Sequence, residues 1–152
     1  MDNEKTIDVL NTLVQINNDR IEGYVTASKE TEEQDLKTMF AQFTKTSEKN
    51  NQELSTEITK LGGTPTDDTK NTGKFFRVWM DVKAALTGKD RKAILNSCEF
   101  GEDQALETYE DVLENDAEHL SAEQKSMITE QYDLLKKDHH TVKTMRDALV
   151  EA

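Results

Sequence analysis

The sequence predicts an all-α fold, a bundle of four long helices with one extra short helix in the connection between the second and the third. With one proline and six glycines in 152 residues, the chain has too few turn residues for a sandwich or barrel. Apolar residues recur at helical spacing along four long segments, so each segment has one face to bury. A chain of this length forms one core, so residues 1–152 are expected to be a single domain.

Capping residues delimit the first two helices. Asp2 or Asn3 can cap a first helix that ends near Ser28. The capping-box pattern at 31–34 (Thr-Glu-Glu-Gln) predicts the start of a second helix, and Gly62-Gly63 predicts its end. The residues predicted to face inward are Ile7, Leu10, Leu13, Val14, Ile21 and Tyr24 on the first helix and Leu36, Phe40, Phe43, Leu54, Ile58 and Leu61 on the second.

A long connection follows the second helix. Residues 64–72 are predicted to be a loop, and a short amphipathic helix begins after Gly73 and ends at Thr87-Gly88. Its apolar face, expected to dock on the bundle, consists of Phe75, Val78, Trp79, Val82 and Leu86. A connection of about 26 residues suits the long crossover of a ferritin-like bundle, although an up-down bundle with an extra outer helix is the alternative.

The third and fourth helices are also delimited by caps. Asp90 caps a third helix that stops around Asn115, and the capping box at 121–124 (Ser-Ala-Glu-Gln) opens the fourth. Short connections predict that helices one and two, and helices three and four, are antiparallel neighbours. The inward residues predicted for the fourth helix are Ile128, Tyr132, Leu135, Val142, Met145 and Leu149.

Glu99 and Glu102 conflict with this pattern, because both lie on the stripe of the third helix that must be buried. At 100° per residue the two acids fall within about 80° of the apolar positions of that stripe. Acids inside a helical bundle are usually metal ligands, ion-pair partners or proton carriers. The stripe that contains the acids also carries Leu95, Leu106, Tyr109 and Leu113.

Charge and cysteine content exclude several classes of protein. A formal net charge of -12 argues against binding to nucleic acid or to anionic lipid, because no surplus of Lys and Arg is available. Cys98 is the only cysteine, so no intrachain disulfide can form, and it is expected to be a buried, inert thiol. No leader pattern or membrane span is evident, and a cytoplasmic protein is expected.

Several stretches resemble a known family of uncharacterised bacterial proteins with a ferritin-like four-helix bundle, grouped as domain of unknown function 2383. The resemblance follows the chain in order and implies the fold but no established activity. The stretches are Leu10 to Val14, Glu22 to Tyr24, Leu61 to Pro65, Trp79 to Leu86, Cys98 to Asp103 and His139 to Asp147.

The chain lacks the pattern of a carboxylate-bridged di-iron site, which takes a Glu from each of two helices and Glu-x-x-His from each of the other two. Its histidines, His119, His139 and His140, all lie in the last quarter, so the second helix supplies no imidazole. No Glu-x-x-His occurs, since Lys136 and Asp116 stand three residues before His139 and His119. On the first helix Ile21 is expected to face inward, with Glu22 rotated away from the core.

A reduced metal site remains as one hypothesis. Glu99 and Glu102, with His139 on the inner stripe of the fourth helix, could hold a single iron or manganese ion with open positions. The alternative is a purely structural role, in which both acids are partly buried and paired with cations; no cofactor is then expected. Possible neighbours of the site are Glu22, Glu53 and Gln131, and possible partners of the acids are Arg20, Arg77, Arg91, lysines and His139.

Three functions are therefore considered. The first is a non-enzymatic bundle with a role in stress physiology or protein interaction, by weak analogy with ferritin-like proteins. The second is a metal-binding protein or oxidoreductase that uses the Glu/Glu/His site. The third is an oligomerisation or partner-binding module, so a homo-oligomer or a protein partner is possible.

Overall fold

The computed structural model describes residues 3–68, 73–88 and 90–151, and their side chains apart from those of 73–79, 150 and 151. These ranges contain helices and no strand, which confirms the predicted all-α bundle. The helices are α1 (Asn3–Glu30), α2 (Gln34–Lys60), α3 (Gly73–Gly88), α4 (Arg91–Asn115) and α5 (Ala122–Glu151), with a single 3-10 turn (Ala117–His119) before α5.

The four long helices pack as two hairpins, α1 with α2 and α4 with α5. α1 runs antiparallel to α4, because Thr6 bonds to His119 at one end whereas Arg20 bonds to Glu102 further along. α2 runs antiparallel to α5, since Gln124 bonds to Glu57 and later residues of α5 contact earlier residues of α2. α2 and α4 are therefore parallel, and the chain between them must cross the length of the bundle.

An ion pair at the end of this crossover supports the same topology. Arg91, the first residue of α4, contacts Asp35 at the start of α2, so both helices begin at the same end of the bundle. The crossover contains α3, which packs on α4 and α1. Val82 and Leu86 of α3 are buried, as predicted. The predicted docking residues Phe75, Val78 and Trp79 lie outside the side chains that the structure describes.

The end of α2 explains both glycines that follow it. Gly62 has φ +87° and donates to Thr59 O, and Gly63 donates to Ile58 O, which is the Schellman arrangement. A Cβ on Gly63 would lie 2.8 Å from Cδ1 of Ile7, so only glycine lets the chain pass this close to α1. The predicted helix end is confirmed.

Of the four predicted N-caps, those of α4 and α5 are confirmed, and Asp2, proposed with Asn3 for α1, lies outside the described residues. Asp90 accepts from the N–H of Ala93, and Ser121 and Gln124 bond reciprocally as a capping box. The capping box at 31–34 is wrong, because α2 begins at Gln34 and its N-cap, Glu33, makes no side-chain cap bond. The N–H of Thr31 bonds to Ala27 O at the end of α1, and its Oγ1 accepts from the N–H of Glu33, which precedes the first residue of α2.

The core consists of two apolar clusters at opposite ends of the bundle with polar side chains between them. The first cluster is built around Leu13, Leu54 and Tyr109, and the second around Tyr24, Phe40 and Leu95. The fully or nearly fully buried polar residues include Asn17, Arg20, Ser47, Asn50, Glu102, Gln131 and Asp138.

Candidate metal site and the buried arginine cluster

The polar layer contains a buried arginine cluster, which we define as Arg20, Tyr24, Ser47, Glu102 and Asp138. Arg20 forms a bidentate pair with Glu102, with Nε to Oε2 at 3.1 Å and Nη2 to Oε1 at 2.7 Å. Nη2 also donates to Asp138 Oδ2 at 3.0 Å. Four long helices thus contribute to one cluster, which joins the two hairpins through the centre of the core.

The remaining donors of Arg20 point to α2. Nη1 donates to Ser47 Oγ at 2.6 Å and to the carbonyl of Phe43 at 3.5 Å. The hydroxyl of Tyr24 donates to Glu102 Oε1 at 2.7 Å. A buried ion pair is stable only when its spare donors and acceptors are satisfied, and here every nitrogen of the guanidinium has an acceptor.

Electrostatics keep the Arg20 guanidinium charged. Burial alone would lower the pKa of Arg20, but Glu102, Tyr24 and Asp138 together more than offset this effect, so the pKa is raised. Burial and the Glu102 carboxylate raise the pKa of the Tyr24 hydroxyl and of the Cys98 thiol. Cys98 is completely buried, so its thiolate is suppressed, as expected for an inert thiol.

Asp138 is an acid of this cluster whose pKa is raised towards neutrality. Burial raises its pKa to about 6, although the Arg20 guanidinium acts in the opposite direction, and the Glu102 carboxylate adds to the rise. One cation thus faces two acids, Glu102 and Asp138.

A second chain of hydrogen bonds, which ends at the Glu53 carboxylate, lies beside the cluster. Asn17 donates to the hydroxyl of Tyr109 at 2.8 Å, which donates to Gln131 Oε1 at 2.8 Å. Gln131 in turn donates to Glu53 and to the carbonyl of Asn50. Glu53 and Gln131, which were possible neighbours of a metal site, belong to this chain, and the other possible neighbour, Glu22, is exposed.

The centre of the bundle does not fit a di-iron site. The guanidinium of Arg20 lies between the carboxylates of Glu102 and Asp138, where a ferritin-like protein would bind its cations. No imidazole contributes to the cluster. We therefore derive no di-iron chemistry for this chain.

A second group of possible ligands lies on the outer side of α4 and α5, and we call Glu99, Asp103 and His139 the outer cluster. One ligand atom from each of the three residues lies within 4.8 Å of the other two. His139 Nε2 is 2.6 Å from Asp103 Oδ1. All three residues are partly exposed, so the outer cluster can be reached from solvent.

Helix geometry explains why neighbouring residues enter different clusters. Glu102 and Asp103 are 100° apart on α4, as are Asp138 and His139 on α5. Glu102 and Asp138 face the core, whereas Asp103 and His139 lie on the flank where the two helices meet. Glu99 is one turn before Asp103 and shares that flank.

Arg146 on α5 is a further partner of the outer cluster. Its Nη1 contacts Glu99 Oε2, and its Nη2 donates to Asp147 Oδ1 at 3.1 Å. These two hydrogen bonds raise the pKa of Arg146, so the guanidinium remains charged. Glu99 is therefore shared between the outer cluster and an arginine.

The structure separates the three residues predicted to hold a metal. Glu99 and His139 lie in the outer cluster with Asp103, which the sequence argument did not select, whereas Glu102 pairs with Arg20. Arg20 was one of the cations proposed as a partner of these acids.

Two assignments of inward-facing residues are wrong. On α1 the buried residue is Arg20 and Ile21 is only partly buried, and on α5 it is Asp138 and not His139. Several positions per turn of a helix can face the core, and here some of these positions hold polar residues. The helical spacing of polar and apolar residues could have identified Arg20 and Asp138 as core residues, because each long helix has at least one polar residue in series with apolar core residues. The four series are Leu13-Asn17-Arg20-Tyr24, Phe43-Ser47-Asn50-Leu54, Cys98-Glu102-Ala105-Tyr109 and Gln131-Leu135-Asp138-Val142.

Comparison with known protein families assigns the chain to one of them. Residues 5–115 match the family described as Domain of unknown function (DUF2383), so the protein belongs to that family. No curated protein matches the sequence. Among the helices of the described ranges, none is both long and apolar enough to cross a membrane.

Proposed function

We propose that this protein binds a single divalent metal ion through Glu99, Asp103 and His139. The observation that carries the proposal is the convergence of two carboxylates from α4 and one imidazole from α5, with ligand atoms within 4.8 Å of one another. The sequence predicts two of these three residues, Glu99 and His139, as metal ligands. The outer cluster supports the metal-binding hypothesis with Asp103 in place of Glu102.

The donor set favours a transition metal. Carboxylate oxygens with one imidazole nitrogen suit manganese, iron(II) or zinc, and three protein ligands leave positions open for water. The Asp103–His139 contact brings one oxygen and one nitrogen together, and a metal ion would have to enter between them. Metal binding requires a neutral imidazole, so protons compete with the metal ion for His139.

We further propose a relationship to ferritin-like proteins at the level of the bundle. The support is the parallel arrangement of α2 and α4 and the single long crossover that joins them, which is the connection of ferritin-like bundles. The proposed ion would lie on the flank of α4 and α5, and the centre would remain occupied by Arg20.

Titration with metal tests the proposal. Protein purified without a His tag and treated with chelator should bind about one equivalent of Mn²⁺ or Zn²⁺ by isothermal titration calorimetry. Asp103→Asn and His139→Gln should each weaken binding by at least about tenfold, because each removes a ligand. Glu110→Gln is the matched control, since Glu110 also lies on α4 and contacts α5 through Tyr132.

Two results would count against a metal site. Absence of binding up to millimolar metal would remove the proposal altogether. Equal loss of affinity in Glu110→Gln and Asp103→Asn would show that only general surface charge attracts the ion.

The other expected roles stay predictions. A non-enzymatic role, a homo-oligomer or a protein partner would be consistent with the half-exposed Met80 and Phe100, which are 50% and 51% accessible. Light scattering at tens of micromolar measures self-association directly, and a strictly monomeric mass would count against a homo-oligomer.

A further inference from the structure

We infer that Arg146 is an internal competitor of the metal ion at the outer cluster and thereby sets its affinity. This inference rests on the proposed function. The structural observation is that Arg146 Nη1 contacts Glu99 Oε2, an oxygen of one of the three proposed ligands.

The packing of α5 on α4 brings Arg146 next to Glu99. Arg146 follows His139 by seven residues, two turns of α5, so both side chains lie on the flank that faces α4. Glu99 precedes Asp103 by four residues and lies opposite Arg146. The helix pair thus places a fixed cation at one end of the outer cluster.

A guanidinium and a metal ion compete for Glu99 in two ways. Both need the lone pairs of the same carboxylate, and both are positively charged, so each disfavours the other at this distance. The side chains of Arg146 and Glu99 are 25% and 18% exposed, so water screens the repulsion only in part. The metal ion must therefore displace Arg146 from Glu99 or bind with an incomplete ligand set.

Displacement is feasible because Arg146 has a second partner. Its Nη2 already donates to Asp147, whose side chain is 55% exposed. When Arg146 leaves Glu99, its charge can remain paired with Asp147 or become hydrated, and no buried charge is left unpaired. Arg146 therefore lowers metal affinity without blocking the site permanently.

The test compares two variants of α5 that each lose one positive charge. Arg146→Gln removes the competitor, and Lys137→Gln removes an exposed charge about 160° around the helix from His139. In calorimetric titrations with Mn²⁺, Arg146→Gln should bind roughly tenfold more tightly than the wild type, whereas Lys137→Gln should stay within about twofold. Arg146→Lys keeps the charge but loses the forked geometry, and should fall between the wild type and Arg146→Gln.

The same titrations separate this inference from the proposed function. If the wild type binds Mn²⁺ and Arg146→Gln binds no more tightly, the competition is disproved and the metal site stands. If only Arg146→Gln binds, the competition is supported and the wild type is not a metal-binding protein. If neither binds, both ideas are overturned. Circular dichroism melting curves establish that each variant is folded.

Glu99→Gln provides an independent measurement. If Arg146 acts through Glu99, the gain from Arg146→Gln should largely disappear when Glu99→Gln is already present, because both changes act on one contact. Additive effects of the two substitutions would show that Arg146 acts through long-range charge alone and would overturn the inference.

Discussion

The buried arginine cluster and the outer cluster both use side chains from α4 and α5, but they differ in their contact with water. Glu102 and Asp138 enter the first, and their sequence neighbours Asp103 and His139 enter the second. The side chain of Arg20 is 3% exposed, whereas that of Arg146 is 25% exposed. A buried pair cannot be broken without stranding a charge, whereas water can replace the partner of an exposed one. The first cluster is therefore structural, and the second is free to exchange partners.

The largest expected difference between the two clusters concerns their arginines. Arg20→Met leaves Glu102 and Asp138 buried without their cation, and should lower the free energy of unfolding by about 3–5 kcal/mol. Arg146→Met should lower it much less, because Glu99 and Asp147, the partners of Arg146, keep access to water. Urea denaturation followed by circular dichroism measures both values. Similar losses in the two variants would show that the buried arginine cluster stabilises the fold no more than the surface contacts of Arg146 do.

A smaller contrast is expected between two acids of the polar layer. Glu102→Ala removes the bidentate partner of Arg20 and the acceptor of Tyr24, and should cost about 2–4 kcal/mol. Glu53→Ala should cost less than about 1 kcal/mol, since Glu53 pairs with the exposed Lys49 and accepts a hydrogen bond from Gln131. Melting temperatures of the two variants provide the comparison. Equal temperatures would contradict the structural role of the buried arginine cluster.

The smallest of these effects concerns the proton of Asp138. Its pKa is about 6 in the folded protein and near 3.8 in an unfolded chain, so the folded state holds the proton more tightly. The stability from this carboxyl is therefore complete below about pH 3.8 and is lost as the pH rises through 6. Asp138→Asn mimics the protonated form, and should be more stable than the wild type by about 1–2 kcal/mol at pH 7.5.

Urea denaturation at pH 4.5 and pH 7.5 in buffer with chelator tests this prediction. Other carboxylates titrate in both proteins, so the quantity to follow is the difference between Asp138→Asn and the wild type. That difference should be small at pH 4.5 and should increase with pH. A constant difference would mean that Asp138 titrates like an exposed aspartate.

Most of the fold could be predicted because helix ends and apolar stripes depend on local chemistry. Gly62-Gly63, Asp90 and the capping box at Ser121 all mark helix boundaries in the structure. The same pattern at Thr31 failed because a residue between two helices can complete the first of them instead of beginning the second. The sequence left two connectivities open, and the parallel arrangement of α2 and α4 selects the long crossover.

The sites were less predictable, because they depend on contacts between distant residues. The sequence showed that Glu102 was an acid in a core position, but its pairing with Arg20 joins residues 82 positions apart. On α1 a hydrophobic pattern favours Ile21 over Arg20 as the inward residue, because such a pattern does not count hydrogen-bonding capacity. Asp103 was overlooked because it lies 100° from Glu102, on the flank that only the packing of α5 brings close to a histidine.

The adjacency of the two clusters along α4 and α5 has a consequence for ligand binding. The pairs of Arg20 with Glu102 and Asp138 fix the rotation of both helices about their axes. Asp103 and His139 follow these anchors directly in the chain, so the directions of their Cα–Cβ bonds are fixed as well. A metal ion at the outer cluster would then meet preorganised side chains, which lose less conformational entropy when the ion binds. The buried arginine cluster thus orients the side chains of the partly exposed outer cluster.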